Sequence, residues 1–301
     1  MINSLRGIHI EPTNICTLKC PGCARTRFID QWPQHWRNHS LDIDQVLRFL
    51  DLDLTGRLVS LCGNYGDPIY HPEFIEFIQR LKQRGANIFI GTNGSYKKQD
   101  WWEELVANLD SNDGIMFSVD GTPENFTEYR INADWESIKV GMDVVARAKC
   151  HSVWKYIPFA FNQTNIEFVR KLSEEIGIKE FQVEFSDRFD EQTQHLIPDV
   201  KLIGSRYQPQ THWQSNNNLA VDPKCQNNQE HFITAEGYYS PCCFIADHRF
   251  YYKTIFGKNK PKYSIRDHTL SAILQQESTV KFYQNLDQHP ECQYACPKIT
   301  D

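Results

Sequence analysis

Between positions 16 and 23 the chain reads Cys16-Thr-Leu-Lys-Cys20-Pro-Gly-Cys23. The stretch follows a short, mostly apolar run, Leu5 to Ile10, and the turn residues Pro12, Thr13 and Asn14. Three thiolates at C-x3-C-x2-C spacing on a loop hold three irons of a four-iron, four-sulfur cube and leave the fourth iron open to a small molecule. A structural zinc site is the first alternative, but zinc takes four ligands, commonly from C-x2-C pairs, so His9 or a distant cysteine would have to complete it. A disulfide framework is the second, and a chain able to bury a large core has no need of such staples.

Ten of the 301 residues are cysteines. Seven fall into two groups: Cys16, Cys20 and Cys23, then Cys225, Cys242, Cys292 and Cys296. Cys62, Cys150 and Cys243 are left over, and Cys62 and Cys150 read as core cysteines. The start of the chain carries no apolar signal segment, so a cytoplasmic protein is expected, with metal or cluster ligation rather than disulfides. Hydrophobic residues make up 40% and aromatics 13%, enough for a substantial core. A mean hydropathy of -0.55 and the lack of a long apolar run exclude a membrane span. The net charge is -6 and no Lys/Arg block stands out, which excludes a duplex nucleic-acid partner. A peptide or a small polar substrate stays open.

Six apolar strand-like runs alternate with helical spacing over the first two thirds of the chain. Strands are expected at 5–11, 57–62, 87–91, 114–119, 153–161 and 179–185, and the stretch 13–40 as a loop. Helices are expected at 41–52, capped by Asp42 or Ser40, and at 71–84, ended by Gly85. Further helices are expected at 100–109, 135–148 and 166–176. This α/β alternation predicts a parallel sheet with right-handed crossovers, six units being too few for an eight-fold barrel. Residues 1–190 are expected to form this unit and 191–218, rich in Gln, Asn, Pro and His, a connector. Residues 219–301 would be a smaller tail with a hairpin about Glu236-Gly237 and a helix near 270–283.

The second strand runs into Gly63-Asn64-Tyr65-Gly66-Asp67-Pro68. Two glycines this close let backbone approach a ligand, and carbonyls with a carboxylate accept from an ammonium. The third strand runs into Thr92-Asn93-Gly94 and the fourth into Ser118-Val119-Asp120-Gly121, with Arg130 beyond.

With the cysteine triplet, these segments resemble the radical S-adenosylmethionine (SAM) family in kind, order and strand placement. The resemblance implies an open, TIM-like partial (β/α)6 barrel with its site at the C-terminal strand ends. It implies a [4Fe-4S] cluster on Cys16, Cys20 and Cys23 whose open iron chelates SAM. One electron then yields methionine and a 5'-deoxyadenosyl radical that abstracts hydrogen from substrate. Gly66, Asp67 and Pro68 would receive the SAM amino group. Thr92, Asn93, Ser118 and Asp120 would line its methionine or ribose, and Arg130 would fork its carboxylate or make a surface salt bridge. Asp67 stands where Glu is usual, and Asn64-Tyr65 where the family has small residues. Gly22, before the third cysteine, replaces a frequent aromatic; its adenine contact would be backbone only, with Phe28 or Trp32 packing the ring. Arg25 and Arg27 read as substrate or SAM contacts or a solvated face.

The tail's C-x11-G-x4-C pattern, from Cys225 through Gly237 to Cys242, resembles the opening of a SPASM or Twitch domain. By that resemblance Cys225, Cys242, Cys292 and Cys296 hold one auxiliary [4Fe-4S] cluster, with Cys243 as the competing ligand. A four-cysteine zinc site remains the alternative there. The expected protein is thus a radical SAM enzyme acting on a peptide, a protein or a small polar molecule. A donor such as flavodoxin or ferredoxin would reduce it. Glu184, Asp187 and Arg188 are acid/base candidates by position only. A zinc-stabilised binding protein and an electron-transfer protein are the other readings.

Overall fold

The computed structural model describes residues 5–186, 189–199, 220–227 and 230–296. Strands β1 (Gly7–Ile10), β2 (Leu58–Leu61), β3 (Asn87–Thr92), β4 (Gly114–Ser118), β5 (His151–Tyr156) and β6 (Glu180–Val183) are joined by helical crossovers. These helices are α1 (Ala24–Gln31), α2 (Ile43–Phe49), α3 (Phe74–Gln83), α4 (Gln99–Ala107), α5 (Trp135–Ala146) and α6 (Ile166–Ile176). Neighbouring strands from β1 to β6 pair in parallel. The expected α/β order and the cap of α2 are found: Asp42 accepts the Gln45 amide at 2.8 Å.

Strand alternation divides the sheet into two faces. Ile8, Ile10, Val59, Leu61, Ile88, Ile90, Ile115 and Phe117 are buried in one core with Val46, Phe77, Leu81, Trp102 and Leu105 of the helices. The other face carries His9, Ser60, Cys62, Met116, Ser118 and Lys155, all partly exposed. This more polar inner face opens toward the strands' C-terminal ends.

The tail is built into the same sheet as the barrel. Strand β7 (Glu230–Ile233) pairs in parallel with β1, and β8 (Tyr239–Ser240) follows antiparallel, so one sheet runs β6-β5-β4-β3-β2-β1-β7-β8. Ile233, Tyr239, Phe256, Tyr263 and Phe282 join the same core as the barrel. The hairpin turns at Gly237, whose φ of +83° suits glycine. Helices α7 (Lys224–Asn227), α8 (His248–Tyr251), α9 (Ile255–Lys258), α10 (Leu270–Gln275), α11 (Glu277–Gln284) and α12 (Pro290–Ala295) complete the tail.

Several boundaries move. Strand β5 stops at Tyr156 rather than Phe161, because Pro158 cannot donate to a ladder. The helix expected at 270–283 is two, broken at Gln276 with ψ of 134°. Part of the expected 13–40 loop is helix α1, whose amphipathic signal is faint because only Ala24 is buried. Most of the 191–218 connector, and the boundary at 219, lie outside the described residues.

Candidate metal centres and active site

The cysteine loop is pinned before and after the turn that follows β1. Asn14 donates to the Arg37 carbonyl at 2.8 Å and accepts the His39 amide at 2.7 Å. Thr13 bridges to Ser40. Gly22 is buried between Cys20 and Cys23, whose amide donates to the Cys20 carbonyl at 3.1 Å. Cys20 is buried among Leu18, Tyr129, Phe159, Phe189 and Leu196, with Cys16 and Cys23 packed against the same group.

All three are free thiols. Burial pushes Cys16 up to about 12, with Asp67 and the other two cysteines adding to the rise. Burial likewise pushes Cys20 up to about 12; Arg130 opposes the rise and Cys23 adds to it. Two crowded thiols that resist ionisation, Cys16 and Cys20, suit a group whose own positive charge deprotonates its ligands. Among the described residues no three Cys, His, Asp or Glu side chains converge on a point that one metal ion could occupy.

Asp67, Thr92 and Asn93 come together beside this loop. Thr92 donates to Asp67 Oδ1 at 2.8 Å, and the Asn93 amide donates to Oδ2 at 2.6 Å. The Asn93 side-chain nitrogen bonds the same oxygen and lies 3.7 Å from Cys16 Sγ. Burial pushes the Asp67 carboxyl up to about 6 despite the lowering effect of these donors. Asp67 also caps the short helical turn that opens at Pro68, accepting the Ile69 amide at 3.3 Å. Asp67 thus organises both the turn after β3 and the turn it caps. The glycines let this loop pack closely on the chain: a Cβ on Gly66 would lie 1.9 Å from the Thr13 carbonyl oxygen, and one on Gly63 2.6 Å from Glu11 Oε1.

Ser118 ends β4 on the inner face, in register with Lys155. The Arg130 fork is committed elsewhere than to a ligand carboxylate. Its Nε and Nη2 both reach Asp120 Oδ2 at 2.7 Å, with the Asp120 side chain fully buried. Asp120 Oδ1 accepts the Ile157 amide at 2.8 Å, joining the loops after β4 and β5. Arg130 thereby stands beside Cys20 as its nearest positive charge. Of the acid/base candidates, Glu184 is exposed and 3.6 Å from Lys155; Asp187 and Arg188 lie outside the described residues. Arg27 pairs with Asp190 at 2.8 Å, and Arg25 donates to the Leu18 carbonyl at 3.3 Å.

In the tail, α7, the end of β8 and α12 bring Cys225, Cys242, Cys292 and Cys296 within electrostatic reach of one another. Burial pushes Cys225 up to about 11 and raises Cys242 and Cys292 strongly, and neighbouring cysteines add to each rise. Cys242 packs against the core and accepts the Ile245 amide at 3.4 Å. The neighbouring Cys243 accepts from Asn64 Nδ2 at 2.6 Å through its main-chain carbonyl.

Cys150 is fully buried, as expected. Cys62 is not a packed core residue: it lies on the inner face with its Sγ 2.8 Å from His9 Nε2. Sequence reasoning also missed a cavity of about 570 Å³ between the cysteine loop and the tail. Phe28, Trp32, Trp36, Tyr65 and His248 wall it, within 5.2–6.4 Å of one another where their rings meet. Phe28 and Trp32 therefore belong to this wall. The density of aromatics at 28–36 was the available signal.

An α/β partial barrel with three clustered thiols at its mouth and four more gathered from separate elements of the tail describes an iron-sulfur protein. Comparison with known proteins makes the class specific. Residues 10–173 match the radical SAM superfamily and residues 225–297 the SPASM iron-sulfur cluster-binding domain. The chain belongs to the radical SAM superfamily, and that membership carries a [4Fe-4S] cluster and SAM, with further iron-sulfur chemistry in the SPASM portion. Among solved structures it resembles anSMEcpe with bound AdoMet, with a TM-score of 0.58 at 15% identity over 93% of this chain and 83% of that one. It also resembles Streptococcus suis SuiB bound to precursor peptide SuiA, with a TM-score of 0.63 at 13% identity over 96% and 70%. At such identities the likeness is one of fold. A Pyrococcus furiosus protein, the tungsten-containing aldehyde ferredoxin oxidoreductase cofactor-modifying protein, is 30% identical over 123 residues. That match spans 40% of this chain and about a third of the relative, 32%. No helix among the described residues is long and apolar enough to cross a membrane.

Proposed function

We propose that this chain is a radical SAM modifying enzyme with an auxiliary cluster, acting on a peptide, a protein or a small polar molecule. When bound, the N-terminal cube supplies the electron that splits SAM into methionine and a 5'-deoxyadenosyl radical. The observation that carries the reading is the meeting of Cys16, Cys20 and Cys23 with the Asp67–Thr92–Asn93 group across the 3.7 Å approach of Asn93 to Cys16.

In this reading Cys16, Cys20 and Cys23 hold the first cube. The loop Gly66-Asp67-Pro68 presents its carbonyls to the SAM amino group while Asp67 keeps the Thr92-Asn93 turn in place. Gly22 and Ser118 border the cofactor. Asp120 and Arg130 form a buried pair that holds the loops after β4 and β5 against Cys20. Cys225, Cys242, Cys292 and Cys296 hold the auxiliary cluster, with Cys242 rather than Cys243 as ligand because its side chain packs inward. The barrel runs to about residue 190 and the auxiliary portion from about 219. A cytoplasmic donor of the flavodoxin or ferredoxin kind supplies electrons. The precursor peptide on SuiB supports a peptide substrate, and the name of the Pyrococcus relative supports a cofactor precursor.

The test is anaerobic incubation of reconstituted protein with dithionite and SAM. Formation of 5'-deoxyadenosine and methionine is expected, with roughly eight irons per chain, as two cubes require. Iron-loaded protein that leaves SAM intact would mark an electron-transfer protein instead, and zinc without iron a structural metal site.

A further inference from the structure

The loop after β2 departs from the family's small residues at Asn64 and Tyr65, and both side chains reach the tail. Asn64 donates to the Cys243 carbonyl at 2.6 Å, and the His248 amide donates to the Tyr65 hydroxyl at 2.6 Å. The aromatic cavity opens beside Tyr65, bounded by the cofactor loop on one side and, through Ala246 and His248, by the chain leaving Cys242 on the other. A substrate shared between two metal centres would sit there, and about 570 Å³ is within the range of small-molecule sites.

The chemistry of the cavity selects a charge sign. Glu11 contributes to it and is only 1% exposed. Its carboxyl is held in place by the Tyr65 amide at 2.7 Å, the Gly66 amide at 3.2 Å and the Ala235 amide at 3.4 Å. Burial holds His248 below the usual imidazole range, so that ring adds no positive charge at neutral pH. Rings of the lining already carry cations of the chain itself. Arg25 lies 5.5 Å from the Trp36 centroid, and Lys260 lies 5.6 Å and 5.1 Å from Tyr251 and Tyr252. Lys260 is paired with Glu236 at 2.6 Å. Trp32, Tyr65 and Glu11 line the same cavity, rings and a carboxyl of the kind that suit a desolvated cation; Arg37, also in the lining, donates to the Gln34 and Trp36 carbonyls at 3.0 Å and 2.6 Å.

We propose that this cavity is the substrate pocket and that it selects an organic cation, an ammonium or guanidinium on an apolar or planar body. The charge is directed to Glu11 and the body lies against Trp32, Trp36 and Tyr65. The word substrate rests on the radical SAM reading; the binding itself does not. Burial raises the Glu11 carboxyl to about 7, so a bound cation favours its ionised form, whereas an anion keeps it protonated and a neutral ring does neither.

The probes are three indoles of similar shape: tryptamine, neutral 3-ethylindole and anionic indole-3-propionate. Each is titrated into anaerobic, reconstituted full-length protein by calorimetry and tryptophan fluorescence. Tryptamine should bind saturably, about tenfold or more tighter than 3-ethylindole, as a desolvated cation on aromatic rings implies, with indole-3-propionate weakest. Glu11→Gln should remove that preference. Trp32→Leu, which leaves the Glu11 hydrogen bonds untouched, should weaken tryptamine and 3-ethylindole alike, so the test survives if Glu11→Gln folds poorly. A lysine-centred pentapeptide and its norleucine counterpart form the second arm. Tighter binding of the lysine peptide than of tryptamine identifies the cation as a residue of a polypeptide; the reverse identifies a free amine. Equal affinity for the three indoles, or affinities unchanged in Trp32→Leu, overturns the proposal. Formation of 5'-deoxyadenosine without substrate reports on the radical SAM reading separately.

Discussion

The Asn64 side chain donates to the Cys243 main-chain carbonyl at 2.6 Å, across 179 residues of sequence. One hydrogen bond thus connects the loop proposed to hold SAM to the loop proposed to hold the auxiliary cluster. Asn64→Ala should cost about 1–2 kcal/mol of stability, the scale of a part-buried hydrogen bond lost with one partner left behind. The informative measurement is the electron paramagnetic resonance spectrum of the reduced auxiliary cluster. A change in its g-values with the N-terminal cube signal unaltered is expected. An unaltered spectrum would show the bond to be structural only.

The two cysteine sets should separate by mutation. Cys20→Ala should lower iron from roughly eight to roughly four per chain and abolish 5'-deoxyadenosine formation, since the cube at 16–23 would be lost. Cys242→Ala should lower iron by a similar amount yet leave SAM cleavage measurable. Cys243→Ala should keep both clusters, because only its carbonyl is engaged. Iron and sulfide analysis with Mössbauer spectroscopy checks all three, and loss of the auxiliary cluster in Cys243→Ala would reverse the ligand assignment.

Backbone packing, rather than contact with a ligand, should make Gly66 intolerant. A Cβ there meets the Thr13 carbonyl oxygen at 1.9 Å, an atom that cannot step aside without moving the turn before Cys16. Gly66→Ala should cost about 1–3 kcal/mol by overpacking and weaken SAM binding at least tenfold. Equilibrium binding of SAM to the reconstituted protein measures the second effect directly.

Glu11 should impose a pH dependence on stability. Burial pushes its carboxyl from an ordinary 4.5 to about 7, against the lowering effect of the Tyr65, Gly66 and Ala235 amides. The folded protein therefore holds the proton more tightly than the unfolded chain. Its contribution is fully present below pH 4.5 and is lost as pH rises through about 7, by about 3 kcal/mol at most. The gap in thermal midpoint between wild type and Glu11→Gln should accordingly shift against wild type from pH 5 to pH 8. A gap constant across that interval would place the Glu11 proton elsewhere.

The barrel was legible from short stretches of sequence. Apolar runs with β- and α-type spacing located β1 to β6 because each run carries its own periodicity. Asp42, Gly85 and Gly237 announced a cap and two turns because capping and positive φ are local demands. Helix α1 escaped because its one buried residue leaves no apolar stripe. The side-chain partners of Asp67 and Arg130 were not legible for a different reason. Their partners, Thr92 and Asn93 for one and Asp120 for the other, are themselves motif residues. Sequence offers no means of deciding whether two polar motif residues bond each other or a ligand.

What the chain determined by itself is whatever covalent spacing controls: three thiols close enough to share a cube, the alternation of strand and helix, and the turn at Gly237. Only the folded molecule decided that β7 would pair with β1 and draw the tail into the barrel's sheet. It also decided that Cys242 would face inward while Cys243 met Asn64, and that Tyr65 would reach His248 over 183 residues to shape an aromatic cavity. These are contacts between distant segments. They form because buried apolar area and unpaired backbone groups must be satisfied somewhere, and which segments satisfy them depends on the whole packing arrangement.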